Sequence, residues 1–260
     1  MMSTSGERRG ETKFGKLIGT GKEAEVYGRG TTVLKLYRSP ASKASAFREA
    51  ATLAVIERSG LRVPRVKGVS RFGRRWGIVM SRAAGVSYGA SIAARPHQTP
   101  AYLDAMVKLH GLIHVCAGAR LPALKSRLES AIRSAPLLPA AQQVRLLSVL
   151  AGLPDGSSLC HGDFHPWNIL GSTRSATVID WLDASCGDPA ADVCRSYVLM
   201  RKAGPQLAEV YVDAYAGGNP RAVAAIMAWL PVIAAARLSE GVADEEDDLL
   251  RMARIEGDDG

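Results

Sequence analysis

The run His161-Gly162-Asp163-Phe164-His165-Pro166-Trp167-Asn168, with Val178-Ile179-Asp180-Trp181 shortly after it, constrains this chain more than any other feature. An aspartate, an asparagine five residues on and a second aspartate closing an apolar strand supply three oxygen-bearing side chains. Magnesium takes a few carboxylate or amide oxygens and keeps several waters. A nearby carboxylate can orient a hydroxyl or accept its proton. A turn rich in Asp and Asn ahead of a strand would account for each residue singly but not for the joint spacing.

On either side of that loop the chain has a different texture. Short strand-like runs separated by glycines cover 14–20, 24–28, 31–37, 66–71 and 76–81. Between the third and fourth, 41–59 carries alanines, Leu53 and Ile56 at helical spacing, with Gly60 as a stop. Ala83-Ala84-Gly85 breaks this pattern and reads as a hinge. Beyond it the chain is mostly helical: 100–117, 121–134, 139–152, 189–202, 205–216, 220–240 and 245–255, several opening on a first-turn proline. Two short strands interrupt the helices, near 169–170 and 177–179. The fold class is α+β. The expected organisation is a flexible tail over 1–13, a β-rich nucleotide-binding lobe over 14–82, and a helical lobe over 83–260 holding the catalytic loop and substrate helices.

Three upstream residue groups extend the chemistry. Gly19 and Gly21 lie in a turn between strands, where backbone N–H groups can approach phosphates unhindered. Lys35 lies inside the apolar strand Val33-Leu34-Lys35-Leu36-Tyr37, and Glu49 lies in the helix that follows. Together they fit the ion pair that positions a nucleotide's α- and β-phosphates. Arg38 or Lys43 could instead partner Glu49.

Glycine turn, strand lysine, helix glutamate, hinge, His-x-Asp-x4-Asn and strand aspartate, in that order, resemble the aminoglycoside phosphotransferase and choline-kinase-like family. That family is a branch of the protein-kinase-like fold. The resemblance spans about residues 14–200, with the later helices fitting more loosely. It implies a bilobal protein with a small N-lobe (antiparallel sheet plus one helix) and a larger helical C-lobe. It further implies ATP or GTP with Mg2+, and a nucleotide lying between the lobes. The nucleobase would be bound by backbone groups of Ser81 and Ala83. Asp163 would be the catalytic base, with Asn168 and Asp180 as metal ligands. Asp188 and Asp192, in a motif similar to one of the family's, would cap a helix and brace the catalytic loop.

Two departures from protein kinases point to a small substrate. Only seven residues separate Asp180 from Asp188, which leaves little room for a peptide platform. Gly162 replaces the catalytic-loop arginine and cannot clamp a phosphorylated loop. The expected reaction is phosphoryl transfer to a hydroxyl of a small molecule, an aminoglycoside or other antibiotic among them. An atypical protein kinase and a non-catalytic nucleotide-binding module are the alternatives. His165 stands where protein kinases carry a lysine and is a candidate γ-phosphate contact; a backbone-bonding role is the other option. Trp167 reads as packing.

Composition narrows the rest. The four cysteines form no Cys-x-x-Cys pair and read as reduced thiols of a cytoplasmic protein, without zinc. Residues 1–10 lack the apolar core of a secretory signal. No uninterrupted apolar run is long enough for a membrane span. The net charge of +8 comes with no nucleic-acid-binding signature, so neither nucleic acid nor membrane is an expected partner. From Leu238 onward, nine acidic residues face only two arginines. The run 244–248 within it could meet a cationic substrate, but acidic residues also stabilise a helix start. Scarce aromatics make a choline cage the weaker option.

Overall fold

The computed structural model describes residues 11–12, 14–39 and 42–255. The chain divides into two compact units: residues up to Gly85 with Thr177–Leu182, and Val86–Ala176 with Asp183–Gly260. The division falls at the end of the Ala83-Ala84-Gly85 stretch.

The first unit is a sheet with one helix. Its strands are β1 (Glu11–Thr12), β2 (Gly15–Thr20), β3 (Ala24–Arg29), β4 (Thr32–Tyr37), β5 (Val66–Phe72) and β6 (Arg75–Ser81). They pair antiparallel in the order β1-β2-β3-β4-β6-β5. Pairing thus reaches back to Glu11 and Thr12, inside the stretch read as a tail; residues 1–10 and 13 lie outside the described ones.

β4 is flanked by strands on both sides, so both of its hydrogen-bonding edges are paired. Alternation puts Leu34 and Leu36 on one face with Tyr27, Phe14, Phe72 and Val79. It puts Val33, Lys35 and Tyr37 on the other. Helix α1 (Lys43–Ile56) buries Ala46, Glu49, Ala50, Leu53 and Ile56, the i, i+3, i+4 stripe of a half-buried helix. Glu49 is the one carboxylate on that stripe, and it needs a partner there.

The second unit is mainly helical: α2 (Tyr88–Ala94), α3 (Thr99–Val115), α4 (Leu124–Ser134), α5 (Ala140–Gly152), α6 (Pro189–Arg201), α7 (Pro205–Tyr215), α8 (Pro220–Met227), α9 (Leu230–Leu238) and α10 (Glu246–Met252). Four short strands accompany them: β7 (Ser158–Cys160), β8 (Ile169–Ser172), β9 (Ser175–Val178), which runs into the first unit's segment, and β10 (Ser185–Gly187). α6 is buried on nearly every side and packs against α7, α8 and α9, so it is the unit's central helix.

The segment 220–240 is two helices rather than one. Pro231 has no N–H to give the Met227 carbonyl, so the helical ladder breaks between them. The whole stretch Pro220–Leu238 is long and apolar enough to cross a membrane by length and composition. Its Ile226, Trp229, Val232, Ile233 and Leu238 are buried within the protein, as in a core helix. Helix α2 and the three-residue strands β7 and β10 escape sequence reading because they are too short to show a period.

Candidate active site

In the first unit, the lysine–glutamate pairing is Lys35 with Glu49, Nζ to Oε1 at 2.9 Å. The same ammonium reaches Asp180 Oδ1 at 2.7 Å. Tyr37 donates its hydroxyl to the other Glu49 oxygen. Burial alone would lower the lysine's pKa, but the two carboxylates outweigh it and hold the amine protonated. Arg38 pairs with Glu25 instead, and Lys43 lies over the Trp76 ring. Asp180 has a positive φ of 63°, a conformation aspartate tolerates better than most residues. Its neighbour Trp181 is fully buried and donates Nε1–H to Val178 O at 3.0 Å, which anchors the turn.

The glycine turn closes with Gly21 N–H on Ala24 O at 2.9 Å. A Cβ at Gly19 or Gly21 would make only ordinary contacts, the nearest atom 3.6 Å away. The fold itself therefore does not demand glycine at either position. Ser81 N–H is taken by Arg65 O at 2.9 Å, and Ala83 follows in irregular backbone.

In the second unit, β7 ends at Cys160 and delivers His161 to Asn168 as a loop. β10 pairs with β7, and Asp188, directly after β10, caps α6 by accepting Ala190 N–H at 2.9 Å. That pairing seats the first turn of α6 beneath the loop. Asp192 accepts His161 N–H at 2.6 Å and Gly162 N–H at 2.8 Å, and Arg195 Nε donates to Gly162 O at 3.2 Å. Asn168 Nδ2 donates to Asp163 Oδ2 at 2.8 Å and to Asp163 O at 2.9 Å. Trp167 N–H donates to His165 Nδ1 at 3.2 Å, and Asn168 Nδ2 lies 3.2 Å from His165 Nε2. His165 Nε2 lies 3.5 Å from Asp163 Oδ2. Burial pushes the Asp163 carboxyl up, but the bond and charge of His165, with Arg195 behind it, hold it below the usual aspartate range.

Gly162 is required on two counts. Its φ is +80°, and a Cβ would stand 2.5 Å from Asp183 O. Gly162→Ala should strain the backbone by roughly 1–2 kcal/mol and push the loop off its anchor. A misplacement on the ångström scale can cost about 100-fold in turnover. Steady-state kinetics should show that loss.

The comparison that decides the family is with sequence families: the model of the phosphotransferase enzyme family matches residues 15–230. The chain belongs to that family. It is an aminoglycoside-phosphotransferase-like enzyme, as the order of its motifs leads one to expect. No curated protein matches it by sequence. Solved structures share its kinase-like fold at low identity. One is a thermostable variant of aminoglycoside phosphotransferase APH(4)-Ia, in ternary complex with ADP and hygromycin B. It is 17% identical with a TM-score of 0.69, over 91% of this chain and 89% of that one. The amicoumacin kinase hAmiN, in complex with AMP-PNP, Ca2+ and Ami, is 15% identical with a TM-score of 0.65, over 94% and 87%. The aminoglycoside phosphotransferase APH(3'')-Id from Streptomyces rimosus, in complex with ADP and streptomycin, is 16% identical with a TM-score of 0.57, over 80% and 90%.

As a member of the phosphotransferase family, the chain shows two features that local sequence does not reveal. Three of the five acidic side chains in the run pair with cations of the protein's own: Asp244 with Lys202, Glu245 with Arg237, and Asp248 with Arg201 and Arg251. Trp167 is 56% exposed, yet its ring lies on Gly89 of α2, where a Cβ would come within 2.5 Å of it. Packing therefore claims one of its faces.

His110 and His114 of α3, absent from the sequence reading, both reach Asp192 Oδ2. The ligand-capable atoms of these three residues lie within 4.8 Å of one another. Every ring nitrogen and both carboxylate oxygens nevertheless have hydrogen-bond partners, so the group is a satisfied polar network. Its one local signal is a pair of histidines at i, i+4 on the buried face of an apolar helix.

Proposed function

We propose that this phosphotransferase is a magnesium-dependent kinase that moves the γ-phosphoryl group of ATP or GTP to a hydroxyl of a small molecule, an antibiotic being the leading kind. The observation that carries the reading is the Asn168–Asp163 contact, which fixes a depressed-pKa carboxylate in the catalytic loop. Asp163 orients the acceptor hydroxyl and receives its proton as the oxygen attacks. Lys35, steadied by Glu49, holds the α- and β-phosphates. The turn at Gly19 and Gly21 offers backbone N–H groups to the phosphates, in keeping with glycines the fold does not itself need. Backbone groups of Ser81 and Ala83 bind the base. At Ser81 the carbonyl is the group to consider, since its N–H is already taken.

Asn168 and Asp180 suit a hard cation. Asn168 spends its amide hydrogens on Asp163, which leaves Oδ1 as the oxygen it can offer, and Asp180 is a part-exposed carboxylate. Bound there, Mg2+ would neutralise charge on the transferring phosphoryl group.

The acceptor follows partly from charge. A polycation recognised by Asp244, Glu245 and Asp248 of the run would have to strip those carboxylates from Lys202, the largely buried Arg237 and Arg201. Unpairing a buried charge is costly. Hydroxylated antibiotics of lower charge, sugars and amino-alcohols therefore stand ahead of aminoglycosides. The four cysteines are all free thiols, in keeping with work in the cytoplasm. An antibiotic acceptor would make this a resistance enzyme.

A nucleotide-consumption screen across these classes tests the reading. Phosphate should appear on an acceptor hydroxyl, and magnesium–nucleotide should raise the melting temperature. Labelled phosphate on protein, or no stabilisation at all, would overturn it.

We assign His165 a tuning role at the same centre. His165→Gln removes a group that holds Asp163 low, so the acid limb of the turnover–pH profile should move to higher pH. An unchanged profile would remove His165 from the mechanism.

A further inference from the structure

Asp192 accepts four hydrogens with its two oxygens. Two come from the loop: His161 N–H at 2.6 Å and Gly162 N–H at 2.8 Å. Two come from α3: His110 Nε2 at 3.0 Å and His114 Nε2 at 3.1 Å. Oδ2 takes three of them and Oδ1 takes the fourth, from Gly162 N–H. Behind the rings stand two tyrosines of α7. Tyr211 OH meets His110 Nδ1, and Tyr215 OH meets His114 Nδ1 at 2.7 Å. With Nε2 donating, each Nδ1 must accept, so the tyrosines fix the tautomers.

Residues four apart on a helix share a face. His110 and His114 on α3 thus face Tyr211 and Tyr215 on α7 as two rungs, and both rungs end on one carboxylate of α6. The His110 ring also stacks on Phe164, the residue after Asp163, with centroids 4.0 Å apart and planes at 22°.

We propose that His110 and His114, each backed by its tyrosine, are positioning residues for phosphoryl transfer: they lock the Asp192 carboxylate in the orientation that grips the His161 and Gly162 amides, and so set the place of Asp163. The proposal rests on Asp163 being the catalytic base. An aspartate holding only two loop amides could rotate and release one of them. Two ring donors on Oδ2, the oxygen that also takes His161 N–H, remove that freedom. The arrangement ties helices distant in sequence to one loop.

The test uses the full chain with magnesium–ATP, following hydrolysis with water as acceptor, and amide hydrogen exchange across His161 and Gly162. His114→Ala should lower kcat by about 100-fold, with KM for magnesium–ATP within about twofold of the parent. Exchange of the loop amides should quicken. His114→Gln, whose amide can still donate to Asp192, should recover most of the rate. His110 is wholly buried, so His110→Gln and Tyr211→Phe serve there in place of an alanine variant. Tyr215→Phe should give a smaller loss of the same kind.

Parent-like kcat and loop protection in His114→Ala and Tyr215→Phe would overturn the proposal. So would a lost rate that glutamine does not restore while loop exchange stays slow, because that pattern belongs to a merely structural pair. A stoichiometric metal in the purified protein that is lost in His114→Ala would also overturn it, making the cluster a metal site. If the parent hydrolyses and transfers nothing, the kinase reading fails, and the amide exchange still decides whether the histidines hold the loop.

Discussion

Asp163→Asn should abolish nearly all turnover, by about 1,000-fold within the range usual for a lost general base, and leave nucleotide binding largely intact. Asn168 Nδ2 donates to Asp163 Oδ2 at 2.8 Å. An asparagine at 163 would turn its own carbonyl oxygen to that donor. Its NH2 would then point where the acceptor hydroxyl must be held, and an amide cannot take the proton. The charge is lost as well, while His165 and Arg195 remain beside it. Lys35, Glu49 and Asp180 form their cluster in the first unit and are untouched by the change. Steady-state turnover and titration of magnesium–nucleotide by thermal shift separate the two effects. Full activity in this variant would dismiss Asp163 as the base.

The second large effect is acid lability. Burial, together with the neighbouring His114, holds His110 down to about 3, against the Asp192 contact that pulls the other way. In the unfolded chain a histidine binds its proton below about pH 6.5. Between those values the unfolded state carries a proton that the native state refuses. This contribution to stability is therefore complete above about pH 6.5 and is lost progressively as pH falls toward 3. Its size is roughly 5 kcal/mol over that window, comparable to the whole stability of many domains. Asp192 adds to the loss lower down. Its native carboxyl sits well below the usual value, so the unfolded chain takes up that proton first as well.

Denaturant melts at pH 7.5, 6, 5 and 4 should show a midpoint that falls steeply through the acid range. His110→Gln should be less stable at neutral pH and flatter below it. A midpoint that holds from neutral pH down to 4 in the parent would mean the buried histidine takes its proton without opening the fold.

The residues proposed to hold the nucleotide were legible because strand and helix periods are local. Alternation in Val33-Leu34-Lys35-Leu36-Tyr37 assigns Lys35 a face, and the apolar stripe of α1 assigns Glu49 a buried position. Which cation met Glu49 was open among Lys35, Arg38 and Lys43. Sheet register closed it, by setting Lys35 between Val26 and Ile78 and sending Arg38 to Glu25. The single helix expected over 220–240 failed at Pro231, where one missing N–H divides it. The acidic run read the same in sequence whether it faced a substrate or its own protein. Only the placement of Lys202, Arg201 and Arg237 showed that three of its five charges were already met.

By itself the sequence determined the class of enzyme and pointed to the oxygen and nitrogen atoms proposed for its chemistry, since the order and spacing of Lys35, Glu49, Asp163, Asn168 and Asp180 are read directly along the chain. Tertiary structure alone decided what holds those atoms still. Asp192 bonds to His161, 31 residues away, and to His110 and His114, 82 and 78 residues away. Hydrogen bonds act over ångströms and carry no sequence period, so such partners are found only once the helices have packed.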